Sequence, residues 1–199
     1  MIFFIIFSAV IFVMYFLVGW RLFQPMEMEP VFRTFLYLKL VLFYCLTILT
    51  FIFYFYKIEV FWTRIIAWLG YTGLGMVSLL FFMIIGLEIF NGLKYLIGST
   101  HQFDPHRRAF LGLSAKGIIG GLGTIATVWG IYNATKTPII KKVKVPISGL
   151  PESLKKIRMA QITDLHVGSL IGSDFVKKVS NQLKELNPDL LFFTGDAAD

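Results

Sequence analysis

Three side chains that commonly bind metals follow two short apolar segments near the carboxyl end of the chain. Asp164 and His166 follow residues 157–163, and Asp196 follows residues 190–194. In parallel sheets, ligands bind beyond the carboxyl ends of the strands, where neighbouring strands end side by side. One imidazole and two carboxylates at such a place suit a divalent metal ion. The pattern therefore predicts a metal site formed by Asp164, His166 and Asp196.

The segments around these residues predict a βαβ unit. Residues 157–163 are typical of a strand that runs into a loop, and residues 190–194, a continuous apolar run, are typical of a buried parallel strand. Between them, Ser173 caps a predicted helix that continues to about Leu186 and is stopped by Pro188. The apolar positions on one face of this helix are Phe175, Val176, Val179, Leu183 and Leu186. The two strands should therefore be parallel, with a right-handed crossover.

Local geometry favours convergence of the site residues. Residues two apart on an extended chain point to the same side, so Asp164 and His166 should face one point while Leu165 turns towards the core. Parallel pairing of the strands then brings Asp196 within reach of that point. Gly195 would let the backbone approach closely or adopt unusual dihedral angles.

The motifs at the strand ends resemble those of a known family. Residues 161–168 read QITDLHVG, residues 187–189 read NPD, and residues 194–199 read TGDAAD. This series resembles the opening of the calcineurin-like metallophosphoesterases, most closely their membrane-attached bacterial members, over about residues 143–199. The resemblance implies hydrolysis of phosphomonoesters or phosphodiesters with two divalent metal ions, which would be Mn, Fe, Zn or Mg.

The resemblance also implies a role for each matching residue. Asp164 and His166 would bind the first metal, Asp196 would bridge the two metals, and Asp199 would support the site without being a ligand. The family's later Asn-His motif and further histidines have no counterpart in residues 1–199, and one βαβ unit cannot form its two-sheet sandwich. We therefore expect the chain to be the amino-terminal portion of a longer enzyme, and to be inactive by itself.

The rest of the chain has the composition of a membrane protein. Of the 199 residues, 56% are hydrophobic and only 16% are charged, with a net charge of +7. Soluble domains carry about 25% charged residues, so an ordinary soluble domain is excluded. Four apolar stretches reach the roughly 20 residues needed to cross a hydrocarbon core. They are residues 1–20, 35–56, 65–87 and 109–132.

These observations predict three parts. Residues 1–134 form an α-helical domain of four transmembrane helices, and residues 135–156 form a basic, proline-containing linker with an edge strand around residues 139–147. Residues 157–199 begin a metallophosphoesterase domain, and supply the first βαβ unit of its α/β sandwich. The expected partners are the lipid bilayer and a phosphoester, for which proximity to the membrane suggests a lipid-linked or envelope-derived compound. Nucleic acid is not expected, because the basic residues lie beside a membrane helix and form no recognised reading module.

The distribution of positive charge favours an amino terminus outside the cytoplasm of a multi-pass cell-membrane protein. No positive charge precedes the first helix, and the Arg107-Arg108 pair before the fourth is typical of a cytoplasmic anchor. The cytoplasmic set then contains Arg21, Arg33, Lys39, Lys94, Arg107, Arg108 and Lys116. The opposite set contains Lys57, Arg64, Lys136, Lys141, Lys142 and Lys144. This orientation places the phosphoesterase segment outside the cytoplasm.

Two alternatives concern the function and a second group of titratable residues. The chain could instead be a multi-pass binding or sensory protein whose carboxyl-terminal segment is not catalytic, and metal affinity distinguishes the two. His101, Asp104 and His106 could form another metal site, but a wet interfacial loop without a scaffold to bring them together is the favoured interpretation.

Two features inside the helices bear on helix packing. Glu88 and Lys116 lie toward the same membrane face, where they could form an ion pair or extend separately to the interface. Gly117 and Gly121 have the Gly-x-x-x-Gly spacing, which favours close packing of the fourth helix against the third.

Overall fold

The structure, a computed structural model, describes residues 2–23, 28–58, 60–97, 105–168 and 170–197, with residues 105–109 described by their backbone alone. The chain divides into two compact units, Met1–Ile131 and Tyr132–Asp199. The helices of the first unit are α1 (Ile2–Phe23), α2 (Pro30–Phe55), α3 (Thr63–Leu96) and α4 (Pro105–Thr135, which ends in the second unit). Next come a 3-10 turn at Glu152–Leu154, β1 (Met159–Thr163), α5 (Ser173–Leu186) and β2 (Leu190–Thr194).

Helices α1 to α4 are each long and apolar enough to cross a membrane. Each of the four predicted membrane helices is therefore present in the structure. The largest difference in bounds is at the end of α3, which continues to Leu96, past the predicted limit at residue 87. Apolar side chains recur there at helical spacing (Ile89, Phe90 and Leu93) and no proline interrupts them, so the helix continues.

The core of the helical unit lies where one face of α1 meets α3. The buried side chains on α1 follow a three-and-four spacing, which places them on one side of the helix. The core consists of Ile11, Tyr15, Val18 and Leu22 from α1, Val77, Leu80 and Ile84 from α3, and Ile119 from α4. The remaining large apolar side chains of these helices are mostly exposed, as expected for surfaces that face lipid.

A buried polar cluster joins α2 to its neighbours. The Thr47 side chain is fully buried, and its hydroxyl lies 3.0 Å from the Gly70 carbonyl oxygen of α3 and 3.0 Å from the Tyr15 hydroxyl of α1. The Thr50 hydroxyl lies 3.1 Å from the Ile66 carbonyl oxygen. Because water does not reach the hydrocarbon core, these contacts satisfy groups that would otherwise be costly to bury.

Close approach of α2 to α3 depends on the absence of a side chain at Gly70. A Cβ atom there would lie 2.8 Å from the Leu46 carbonyl oxygen and closer still to the Thr50 hydroxyl. We expect Gly70→Ala to destabilise the helical unit by about 1–3 kcal/mol, the usual cost of overpacking. Unfolding of the 199-residue chain in a denaturing detergent measures this change.

Gly75→Ala is the matched control for that substitution. Gly75 lies on the same helix, and a Cβ atom there would meet nothing within 4 Å. Alanine is preferred to glycine inside helices by about 0.5–1 kcal/mol, so Gly75→Ala should be neutral or slightly stabilising. Equal effects of the two substitutions would contradict this account of the α2 to α3 contact.

Helix α4 contacts α3, as predicted, but through a different glycine. A Cβ atom at Gly123 would lie 2.6 Å from the Leu80 methyl carbon Cδ2. A Cβ atom at Gly117 or Gly121 would meet nothing within 4 Å. The predicted spacing motif is therefore not used for close packing within the described residues.

The second unit contains the predicted parallel strand pair. Met159 of β1 pairs with Leu190 of β2, and the register continues to Thr163 opposite Thr194. Helix α5 ends at Leu186 as predicted, where Asn187 adopts a left-handed conformation (φ 43°) and its N–H bonds to the Leu183 carbonyl oxygen. All five predicted apolar positions of α5 are at least half-buried, whereas its lysines at 177, 178 and 184 are exposed.

Three local predictions in this unit were wrong. Gly172, not Ser173, is the residue before the first helical turn of α5, and Ser173 makes no capping hydrogen bond. Residues 139–147 form no strand: Pro138 precedes them, Pro146 lies within them, and the described sheet contains only β1 and β2. Strand β2, predicted to be buried, is exposed throughout, with Phe192 and Phe193 at 48% and 49%. Two strands with one neighbouring helix leave much of this apolar run uncovered.

Candidate functional site

The strand register places the candidate site residues at one end of the sheet. Thr163 and Thr194 form the last pair of the register, so Asp164 and Gly195 are the next positions on the two chains. Backbone pairing continues into the loops, since the Asp164 N–H donates to the Thr194 carbonyl oxygen at 3.3 Å. The His166 N–H likewise donates to the carbonyl oxygen of Asp196 at 3.4 Å. The two loops that carry the motifs are thus joined by main-chain hydrogen bonds.

The Asp164 carboxylate is held by both loops. Its oxygen Oδ1 accepts a hydrogen bond of 3.1 Å from the Asp196 N–H, and its Oδ2 accepts one from the Thr163 hydroxyl. The Thr163 hydrogen bond is the main cause that lowers the pKa of Asp164 below its ordinary value, followed by the Asp196 N–H, and the charge of His166 adds a smaller effect. Asp164 is therefore ionised at neutral pH.

The donor set fits a divalent cation. A carboxylate offers about four lone-pair directions, and the two named hydrogen bonds use two of those on Asp164. The Asp164 and His166 side chains are exposed, as is Asp196. Carboxylates and an imidazole are hard and borderline ligands of the kind that bind Mn, Fe or Zn, and the two neighbouring loops carry one imidazole and two carboxylates.

The backbone at the site is not extended, which corrects one step of the sequence argument. Asp164 and His166 both have positive φ angles, 51° and 46°. This left-handed region is uncommon for residues other than glycine, costs about 1–3 kcal/mol each, and clusters at functional sites. The alternation of an extended strand ends at Thr163, so it cannot by itself align the two side chains.

Gly195 occupies the closest approach between the two loops. Its φ angle is 74°, and a Cβ atom there would lie 2.7 Å from Asp164 Cγ and 2.8 Å from the Thr163 hydroxyl oxygen. No larger residue fits without displacing the Asp164 carboxylate. The sequence argument for a glycine after β2 is therefore supported by a specific contact.

The described part of the chain brings the loops of Asp164, His166 and Asp196 together, but it contains no group of three or more His, Cys, Asp or Glu side chains placed to hold a metal. Convergence of these three side chains on one ion stays a prediction. Asp199, predicted to support the site, lies outside the described residues, as do His101 and Asp104 and the side chain of His106.

The sequence argument assigned no structural role to two residues, Thr163 and Asp189. Thr163 was treated only as the end of a strand, although its hydroxyl orients the Asp164 carboxylate. The Asp189 carboxylate accepts a hydrogen bond of 2.8 Å from the Arg158 N–H, and its own N–H donates to the Arg158 carbonyl oxygen at 2.8 Å. Asp189 thus joins the residue before β1 to the residue before β2, at the end of the strand pair away from Asp164. An aspartate directly after a proline and before a strand is a turn signal that could have indicated this.

Curated proteins similar to this chain carry names that describe metallophosphoesterases or a pyrophosphatase. "Transmembrane protein with metallophosphoesterase domain" from Danio rerio is 26% identical over 137 residues, which cover 66% of this chain and 30% of the relative. An uncharacterized metallophosphoesterase from Helicobacter pylori is 32% identical over 111 residues, covering 55% of this chain and 29% of the relative. UDP-2,3-diacylglucosamine pyrophosphatase LpxG from Chlamydia trachomatis is 46% identical over 43 residues, covering 22% and 13%.

These similarities cover only part of each relative, since the matched region spans less than a third of the relative's length in all three cases. No family model and no solved structure matches the chain. The relatives come from animals as well as bacteria, so the expected bacterial branch stays a prediction.

Proposed function

We propose that this chain, which is similar to named metallophosphoesterases, belongs to the metallophosphoesterase superfamily and is the membrane-anchoring and first catalytic part of a metal-dependent phosphoesterase. The proposed reaction is hydrolysis of phosphomonoesters or phosphodiesters at a site with two divalent ions. The proposed boundaries are 1–134 for the membrane domain, 135–156 for the linker and 157–199 for the start of the catalytic domain.

Each site residue has a proposed role. Asp164 and His166 would be ligands of the first metal, Asp196 would bridge both metals, and Asp199 would support the site from its edge. When bound, the two ions would supply Lewis acidity and lower the pKa of a water nucleophile. The residues of this chain would hold and orient the carboxylate and imidazole donors. Further ligands would come from segments outside residues 1–199.

The single observation that carries this proposal is the contact between the two motif loops. The Asp196 N–H donates to Asp164 Oδ1 at 3.1 Å, and the His166 N–H donates to the Asp196 carbonyl oxygen at 3.4 Å. Residues other than glycine rarely adopt positive φ angles, and those that do cluster at functional sites, so Asp164 and His166 also support the proposal.

A metal-removal experiment tests the proposed function. Purified full-length protein should contain about two divalent ions per chain and should hydrolyse an aryl phosphodiester or phosphomonoester. Removal of the metal with a chelator should abolish hydrolysis, and restoring Mn²⁺ or Zn²⁺ should recover it. Full activity of protein shown to be metal-free would overturn the proposal. Absence of both metal and activity would favour the binding or sensory alternative.

The substrate proposed for this enzyme is a lipid-linked phosphoester. Four helices that can cross a membrane keep the catalytic segment close to lipid headgroups, and one relative is named for a pyrophosphatase reaction on UDP-2,3-diacylglucosamine. We expect kcat/KM for a diacylated phosphoester in mixed micelles to exceed that of its soluble, deacylated counterpart. Equal values would contradict this substrate class.

The proposed orientation places the catalytic segment outside the cytoplasm. A reporter enzyme that is active only after export, fused directly after Lys144, should therefore give activity. The same reporter fused after Lys94, in the last turn of α3 and among the residues predicted to be cytoplasmic, is the matched control and should be inactive. The opposite pattern, with a cytoplasmic fluorescent reporter bright after Lys144, would reverse the orientation.

A further inference from the structure

A basic segment, residues 136–147, directly follows the last membrane-spanning helix. It has a net charge of +4, and the sequence contains no aspartate or glutamate anywhere from residue 105 to residue 151. The charged side chains of the basic segment are all exposed, and they are Lys136, Lys141, Lys142 and Lys144. Within the described residues, the last three of these lysines form no ion pair with a carboxylate. Their charges are therefore not neutralised by the protein.

Exposed apolar side chains lie between these lysines. Ile139 is 82% exposed, Val143 is 67% exposed and Val145 is 66% exposed. Residues 137–147 form neither helix nor strand, so their apolar side chains are not part of a packed element. Cations mixed with apolar groups suit a membrane interface, where binding combines burial of apolar area with attraction to anionic lipid.

Chain continuity places the basic segment at the membrane surface. The membrane-spanning part of α4, Phe110–Thr135, has 26 residues and ends where the helix ends. At about 1.5 Å per residue this part is about 40 Å long, which exceeds a hydrocarbon core of about 30 Å. Its last turns therefore reach the headgroups, and the exposed rings of Trp129 and Tyr132 are of the kind that anchor a helix there. The basic segment begins at the next residue.

One hydrogen bond ties the start of the basic segment to α5. The Gln182 side-chain N–H donates to the Pro138 carbonyl oxygen at 3.0 Å. Pro138 comes three residues after Thr135, the last residue of α4, so the two lie at most about 10 Å apart. Whatever holds the basic segment at the membrane therefore also limits how far α5 can move from it.

We propose that the basic segment binds the anionic lipid surface of the leaflet at which α4 ends. Lys141, Lys142 and Lys144 lie among the lipid phosphates, and Val143 and Val145 enter the interface. Charge complementarity favours an anionic partner, and attachment to a spanning helix keeps the basic segment at a high effective concentration beside lipid, in preference to a soluble acidic protein. Only anionic lipid in that leaflet is required. The binding is therefore independent of the proposed orientation and of the phosphoesterase chemistry.

Quenching of a fluorophore at position 143 tests this proposal in vesicles that contain the 199-residue chain. The label is attached to Val143→Cys in a Cys45→Ala background, which removes the single native cysteine. The vesicles contain phosphatidylcholine alone, or phosphatidylcholine and phosphatidylglycerol at four to one, with the neutral quencher acrylamide on both sides. Each lysine near an anionic surface strengthens binding about fivefold, so the quenching constant should be about threefold lower in the anionic vesicles. In about 1 M NaCl, which shortens the screening length to about 3 Å, most of this difference should disappear.

Two triple variants show whether the lysines of the basic segment cause this difference. The test variant combines Lys141→Gln, Lys142→Gln and Lys144→Gln. It should have equal quenching constants in the two kinds of vesicle. The matched control removes the same charge from three exposed positions that follow the basic segment: Lys155→Gln, Lys156→Gln and Arg158→Gln. It should keep the full difference. All substituted side chains are exposed, so neither variant should impair folding.

Three results would overturn the proposal. The first is equal quenching in both kinds of vesicle by the chain with all its lysines, whether strong, as for a segment in water, or weak, as for one packed on protein. The second is a difference that persists in the test variant. The third is an equal loss of the difference in both triple variants, since the net charge of the chain, and not the basic segment, would then be responsible.

Discussion

Asp196→Asn in the full-length protein should lower kcat for aryl phosphoester hydrolysis at least about 100-fold. Loss of a residue that merely supports a metal ligand costs about 10–100-fold, and Asp196 is proposed to bind both metals. The substitution keeps the size of the side chain and leaves the backbone N–H that holds Asp164 intact. The measured quantities are kcat and the metal content of the purified protein, and both should fall.

Asp189→Asn is the matched control for this prediction. Asp189 lies at the opposite end of the strand pair, where its carboxylate accepts a hydrogen bond from the Arg158 N–H. An amide oxygen can accept the same hydrogen bond, so kcat and metal content should change less than threefold. If Asp196→Asn retained the full rate with two bound metals, the bridging role would be wrong. If Asp189→Asn were equally damaging, the effect at Asp196 would reflect loss of folding.

Gly195→Ala should weaken metal binding and catalysis by about 10–100-fold. A methyl group at this position would lie 2.7 Å from Asp164 Cγ, so the carboxylate must leave the orientation set by Thr163 and Asp196. Alanine must also adopt the φ angle of 74°, which costs about 1–2 kcal/mol. Metal affinity of the full-length protein, measured by titration of the metal-free form, reports the displaced ligand.

Gly149→Ala separates backbone strain from displacement of Asp164. Gly149 has nearly the same φ angle, 75°, but a Cβ atom there would meet nothing within 4 Å. It should lower thermal stability by a similar backbone cost and leave metal affinity unchanged. Unchanged metal affinity in Gly195→Ala, or an equal loss in both variants, would show that the contact with Asp164 does not matter for the site.

Strand positions and helix faces in the second unit were predictable because they depend on local patterns. Leu190–Thr194 is a strand in the structure with the predicted bounds, and all five predicted apolar positions of α5 have reduced exposure. The degree of burial was not predictable in the same way. An apolar run indicates that a strand can be buried, but not whether other elements cover it. Strand β2 is exposed because few elements surround it in the described chain.

At the candidate site, too, the residue types were predictable from the sequence and their arrangement was not. Residue types and their positions after two strands were enough to select Asp164, His166 and Asp196. The reversal of φ at Asp164 and the hydrogen bond from the Asp196 N–H were not predictable, because they depend on how two loops meet. Side chains alternate between the two faces of a strand only while the backbone is extended. Strand β1 ends at Thr163, one residue before Asp164.

By itself the sequence determined four spanning helices, a parallel strand pair and the residue types at its end. Long apolar stretches and short periodic patterns are sufficient for these, since each reflects the burial or extension of consecutive residues. Tertiary structure alone decided that Glu88 pairs with Arg21, that Gly123 rather than Gly117 or Gly121 meets Leu80, and that Gly195 lies against Asp164. These contacts join residues far apart in the chain. They depend on the rotation and depth of each element, which local patterns leave open.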